Sequence, residues 1–280
     1  MRAEEALRQG DLDESLRQLQ ELVRREPANA KYRIFLFQLL ALMGRWGRSL
    51  NQLEVAGELD AGALAMVQTY REALRCEVLR AEIFAGQRSP LVFGQPEEWL
   101  ALLIEAQRLA ARGGDGAAQA RSLRERALEA APATPGRIDE TPFDWIMDGD
   151  GRLGPVLEAI VYGRYYWVPF QHLRAIAIDK PEDLRDLVWL PAHFIWANGG
   201  ESVGLIPTRY PDSADATDPD LRSSRRTEWI ERPDGTFVGQ GQRMFFTDRG
   251  EHPLMDVRAI LLETAGDEVA AEPREDGTLG

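Results

Sequence analysis

Three histidines, His172, His193 and His252, are the residues best suited to acid–base or metal chemistry, and their spacing supports neither. They fall in different predicted elements with no cysteine near them, whereas zinc needs nitrogen or sulfur donors close together. They are read as satisfied or surface side chains. Asp148-Gly-Asp150-Gly151 opens like a calcium loop, yet Arg152 stands where a third oxygen ligand belongs and no glutamate closes the twelfth position, so a loop turn is expected. Gly239-Gln-Gly241 lacks the third glycine and the helix start that phosphate binding requires, and fits a hairpin or bulge. Ser202, Ser223 and Ser224 sit in no nucleophile elbow. Acid pairs such as Asp183 and Asp186 arise by chance in a chain that is 28% charged. No cofactor or metal is expected. The aromatic run Tyr162, Tyr165, Tyr166, Trp167 and Phe170 would form a binding platform if strand alternation exposed half of it; core packing of a small sheet is the preferred reading for most of its members.

With no catalytic constellation, the elements themselves carry the argument. Gly10 and Gly44 lie 34 residues apart in matching surroundings: Leu12 falls on Trp46, Ser15 on Ser49, Leu16 on Leu50, Leu19 on Leu53 and Leu22 on Ala56. That period, with a small residue at the turn, an aromatic or apolar residue two further on and a closing Pro27, is the tetratricopeptide pattern of paired antiparallel helices. Glycine suits the tight turn, Asp11 and Asp13 suit a helix start, and Leu12, Leu16, Leu19 and Leu22 form one apolar stripe. The stretch from Tyr32 to Met43 is apolar almost all round and implies a helix covered on several sides. The second repeat lacks the closing proline, having Ala61 there, and carries bulky Phe37 where a small residue is usual. Ala63 to Phe84 reads as one long helix, Pro96 opens another through Arg112, and a further turn and helix run to Pro132. Helices are thus expected over residues 1 to about 131, with Trp46 packed between the first two pairs.

A chain of 280 residues with 44% hydrophobic content is long enough for two cores. Its net charge of −13 argues against binding nucleic acid or an anionic membrane surface, because both need a basic face. No stretch of about 18 apolar residues is present to span a bilayer. The N-terminus reads as a charged amphipathic helix rather than a signal peptide, and the single Cys76 makes no internal disulfide, so the cytoplasm is the expected compartment.

The chain changes character after Pro132. Residues 136–152 are rich in Pro, Gly and Asp and read as a linker; residues 153–161 are expected as a short helix, followed by β-type runs. Asn198-Gly199 marks one hairpin and Arg232-Pro233-Asp234-Gly235 another, joining TEWIE to TFVGQGQRMFF. Between them, Pro211 to Ser224 reads as a mobile acidic loop. The fold class is α+β: a tetratricopeptide-like helical array (1–135), a linker (136–152), a small, strongly twisted β-rich domain (153–265) and an acidic, frayed tail (266–280).

The GELD (57–60), SPLVFG (89–94), RYYWVPF (164–170) and WANGGE (196–201) stretches, with their surroundings, resemble the ImpE family, also called TagJ or SciE-type, of type VI secretion accessory proteins. The resemblance spans roughly residues 1 to 265. It implies a cytoplasmic, non-enzymatic protein that binds an N-terminal helix of the small contractile-sheath subunit (TssB-type) and acts alongside the AAA+ ATPase (ClpV-type) that disassembles the sheath. It brings no catalytic motif and no residue-level binding motif.

Helix geometry alone therefore supplies a candidate groove, with an amphipathic partner helix lying on the inner faces of the array. Its residues are Leu7 on the first helix, Ile34, Gln38 and Leu42 on the third, and Gln68, Arg71 and Arg75 on the next. The rival reading is a hydrolase or transferase with its site between the two domains, which would need a polar constellation that the sequence does not display.

Overall fold

The repeat is visible atom by atom in the computed structural model, which describes residues 2–113 and 116–263. Helices α1 (Arg2–Arg8), α2 (Leu12–Arg25), α3 (Ala30–Leu42) and α4 (Trp46–Leu59) form two antiparallel pairs. Buried Ser15 donates to the Ala3 carbonyl at 2.8 Å, and Ser49, 34 positions on, donates to the Phe37 carbonyl at 2.9 Å. Both turns close alike. Gly10 and Gly44 take φ of 81° and 68°, Gly10 N–H and Gly44 N–H reach the Leu7 and Ala41 carbonyls, and Asp11 N–H and Arg45 N–H reach those of Ala6 and Leu40. Such left-handed closure needs a residue without Cβ. Leu19 and Leu53 are fully buried at equivalent positions. The stack continues with α5 (Leu64–Phe84), α6 (Glu98–Arg112) and α7 (Gly116–Ala130).

The helical part is not wholly helical, contrary to expectation. SPLVFG leaves the helices as strand β1 (Leu91–Val92): α5 has already closed at Gly86 (φ 68°), with Gln87 N–H on the Glu82 carbonyl, and Phe93 stacks on Trp196 with ring centroids 3.8 Å apart. The supposed linker is also structured. It contains β2 (Gly136–Ile138), β3 (Thr141–Phe143) and β4 (Ile146–Asp148), pinned by buried Ile138, Phe143 and Ile146. The helix expected over 153–161 is instead β5 (Val156–Val161), buried at all six positions, so no alternation marks it as a strand.

The remaining strands are β6 (Arg164–Pro169), β7 (Leu173–Ile178), β8 (Trp189–Trp196), β9 (Glu201–Pro207), β10 (Thr227–Glu231), β11 (Phe237–Gly241), β12 (Met244–Thr247), β13 (Gly250–Pro253) and β14 (Ala259–Leu262). Nine of the strands make one sheet ordered β1-β6-β5-β9-β8-β7-β14-β2-β3, beside a β13-β12-β4 sheet and the β10-β11 hairpin. Both predicted hairpins are present, but TFVGQGQRMFF is two strands in different sheets, divided at fully buried Arg243. One hydrophobic core runs from the helices onto β5, β6, β8 and β9; a second fills the space on which β4, β12 and β14 also close.

The segment expected to be a mobile loop, Pro211 to Ser224, is packed in place. Ser213, Leu221 and Ser224 are buried, Asp218 caps the short helix α8 (Pro219–Arg222), and Ala214 and Pro219 lie against the Gly44 and Gly10 turns. The tail from residue 266 lies outside the described residues.

Candidate partner-docking surface

The sheet domain occupies much of the inner face of the helical array. Trp189 of β8 places its ring 5.7 Å from Tyr70 and 6.0 Å from Trp46, and its indole N–H donates to Glu77 at 2.9 Å. Trp46, expected between the first two helix pairs, thus reaches the sheet. Arg209 donates to the carbonyls of Ala41 (3.1 Å), Leu42 (2.7 Å) and Arg222 (2.7 Å), closing the ends of α3 and α8 where the helix dipole is negative. Burial without a carboxylate contact pulls its pKa down to about 10, still charged at neutral pH.

Deeper, Glu158 of β5 receives both arms of Arg80, at 2.6 and 2.9 Å, and a contact from Arg243, which also binds Asp148. Arg80 donates further to the Arg209 carbonyl, and Arg243 to that of Pro207 at 2.8 Å. Tyr165 donates to Glu158 as well. Burial would raise the Glu158 pKa, but the two guanidiniums outweigh it and hold the carboxyl down at about 2. For Asp148 burial prevails over Arg243 and lifts the pKa to about 6. These groups are almost fully buried and mutually satisfied, a structural arrangement. Sequence reasoning missed them; the available signal was a lone Glu158 within VLEAIV, since a charge inside an apolar run demands a partner.

The predicted groove residues divide accordingly. Leu42 is fully buried with its carbonyl bound by Arg209, Gln38 is buried, and Leu7 and Ile34 pack half-buried against the core. Gln68 and Arg75 are exposed, and Arg71 is half-buried. Arg71 faces Glu54 at 3.6 Å and Arg75 pairs with Glu72 at 2.8 Å. The structure therefore does not gather the seven residues into one open groove.

An open cleft of about 720 Å³ does exist beside α5, lined by Ala65, Gln68, Thr69 and Glu72 on the helix and by Tyr162, Leu205 and Val203 from the sheet. Tyr162 and Val203 are both 75% exposed, unusual for large apolar side chains. Tyr162 and Gly163 form the β5–β6 turn with φ of 51° and 71°, the two positive angles of a tight hairpin. Tyrosine rarely adopts that conformation. Its hydroxyl donates to Ser202 Oγ at 3.2 Å, fixing the ring at the cleft edge. Of the aromatic run, Tyr165, Trp167 and Phe170 are core.

The residues weighed for chemistry are separately engaged. His172 faces the Phe93 carbonyl and Glu97, His193 faces Glu201, and His252 faces Thr247. In the calcium-like loop Asp150 accepts from Arg152, through Nε at 2.8 Å and a terminal nitrogen at 2.6 Å, and from Gly239 N–H at 3.1 Å. Among the described residues there is no group of three His, Cys, Asp or Glu placed to hold a metal, and no helix long and apolar enough to cross a membrane.

Comparison with known proteins gives three findings. The family model described as ImpE protein matches residues 140–261. The Pseudomonas aeruginosa protein named type VI secretion system accessory component TagJ is 55% identical over 263 residues, spanning 94% of this chain and 92% of its own. The X-ray crystal structure of protein VPA1032 from Vibrio parahaemolyticus shares the fold with a TM-score of 0.84 at 22% identity, covering 94% of this chain and 98% of that one.

Proposed function

The chain belongs to the ImpE family, and from that premise we propose that it is a non-enzymatic adaptor of a type VI secretion system, docking a short helix of the small contractile-sheath subunit in the cleft beside α5. It would act alongside the AAA+ ATPase that disassembles the sheath. The name of the Pseudomonas aeruginosa relative supports an accessory role in that system. The observation that carries the site is the exposure of Tyr162 and Val203 in a cleft that also holds Gln68. A helix laid there would bury apolar side chains against both walls. Arg71 and Arg75, one turn apart on the same helix beside the cleft lining, would exchange Glu54 and Glu72 for its acidic residues.

Calorimetry of the full chain with a peptide of the sheath subunit's N-terminal helix tests this. Arg71→Glu with Arg75→Glu should weaken binding at least about tenfold, roughly 1.4 kcal/mol, with little change in melting temperature. Val203→Glu should do the same through the apolar wall. Unchanged affinity in both folded variants would remove the cleft from the site.

A further inference from the structure

A second groove, lined by α2, α3 and α4 alone, has the opposite electrostatic character to the molecule as a whole. Its floor is Val23, Leu36 and Leu40, its rim carries Arg24, Arg33 and Arg48, and its volume is about 340 Å³. No carboxylate lines it, although the chain's net charge is −13. Arg24 and Arg48 are exposed and have no ion pair among the described residues. Arg33 is held in place, donating to Gln52 Oε1 at 2.7 Å and to the Pro27 carbonyl at 3.3 Å.

We propose that this groove docks an acidic amphipathic segment of a partner protein, with an apolar side chain on the Val23–Leu36–Leu40 floor and carboxylates on Arg24, Arg33 and Arg48. Charge complementarity selects that occupant. Three guanidiniums around one apolar floor match carboxylates flanking a leucine-type row; the planar forks of Arg24 and Arg48 can each bind a carboxylate through two N–H groups, and Arg33 adds its fixed charge. Because Arg33 is already fixed, less side-chain entropy is lost on binding. The net charge of −13 makes a patch that carries arginines and no carboxylate a favoured place for an anionic partner. The groove shares no lining residue with the cleft beside α5, so the two surfaces can be occupied together, as a bridging protein requires.

The test uses the full chain and fluorescence anisotropy with a short labelled helical peptide carrying glutamates on both sides of a leucine row. Its glutamine counterpart and a single-stranded oligonucleotide serve as competing probes. The glutamate peptide should bind, with affinity falling as salt rises, and the glutamine peptide should bind at least about tenfold more weakly. Arg24→Glu with Arg48→Glu should cost at least about tenfold, while Val203→Glu should leave this binding unchanged. Since both arginines are exposed, circular dichroism should show the variant folded. The proposal is overturned if the glutamate peptide fails to bind, if the folded variant binds it as well as the parent does, or if the oligonucleotide binds more tightly than the peptide.

Discussion

Arg80 and Arg243 converge on Glu158 with side chains 4%, 0% and 0% exposed, whereas Arg17 bridges Glu14 and Glu21 with 58% of its side chain in water. The Arg80–Glu158 and Arg17–Glu14 pairs have the same closest separation, 2.6 Å, and both Glu14 and Glu158 titrate at about 2. The similarity ends there. Glu14 is lowered by hydrogen bonds from Arg17 and Gln18 at the open surface, where water and salt screen the gain. Glu158 reaches the same value against a large burial penalty, so removing either partner strands a charge in the interior. Distance alone does not distinguish a lock from a decoration; the environment does.

The largest expected effect is at the lock. Glu158→Gln keeps the shape but leaves Arg80 and Arg243 without the carboxylate between them, and should destabilise the protein by about 3–5 kcal/mol in urea denaturation. A loss below about 1 kcal/mol would mean that water reaches the cluster, and the contrast with Arg17 would collapse.

A smaller effect concerns pH. Glu158, lowered from 4.5 to about 2, contributes stability that is complete above pH 4.5 and disappears as pH falls through 2. Asp148, raised from 3.8 to about 6, acts in the other direction: its contribution is present below pH 3.8 and is lost as pH rises through 6. Denaturation midpoints between pH 4 and 6 should therefore carry a falling component from Asp148, and Asp148→Asn should remove it. An unchanged slope in that variant would place the titration elsewhere. The smallest effect belongs to the surface pair, for Arg17→Ala should leave the melting temperature unchanged at physiological salt.

The sequence disclosed what local rules govern. Gly10, Gly44, Ser15 and Ser49 repeat at 34 residues because each helix pair solves the same closure problem with the same atoms, and the hairpins at Asn198 and Asp234 follow from turn chemistry. What remained hidden depended on pairing across long separations. β5 looked helical because both of its faces are buried, and residues 136–148 looked like a linker because their three-residue strands are too short to show alternation. Pro211 to Ser224 looked mobile because composition cannot reveal that its residues lie against two distant helix turns. The residues proposed for docking divide between the open surface and the core. Gln68 lies in the cleft, with Arg71 and Arg75 on the same helix, but Leu42 is covered by Arg209, a residue whose role only the folded chain exposes.

Arg209 also bears on how the molecule is made. A ribosome delivers α3 long before residue 209 exists, and α5 before Trp189 and Glu158, so the nascent helices emerge with unclosed carbonyls and with Arg80 lacking its counter-ion. The array cannot complete its packing as translation proceeds; its last interactions form only when β5, β8 and the segment after β9 arrive. A chain interrupted before residue 158 should therefore be readily digested by protease, not folded as a half-sized array.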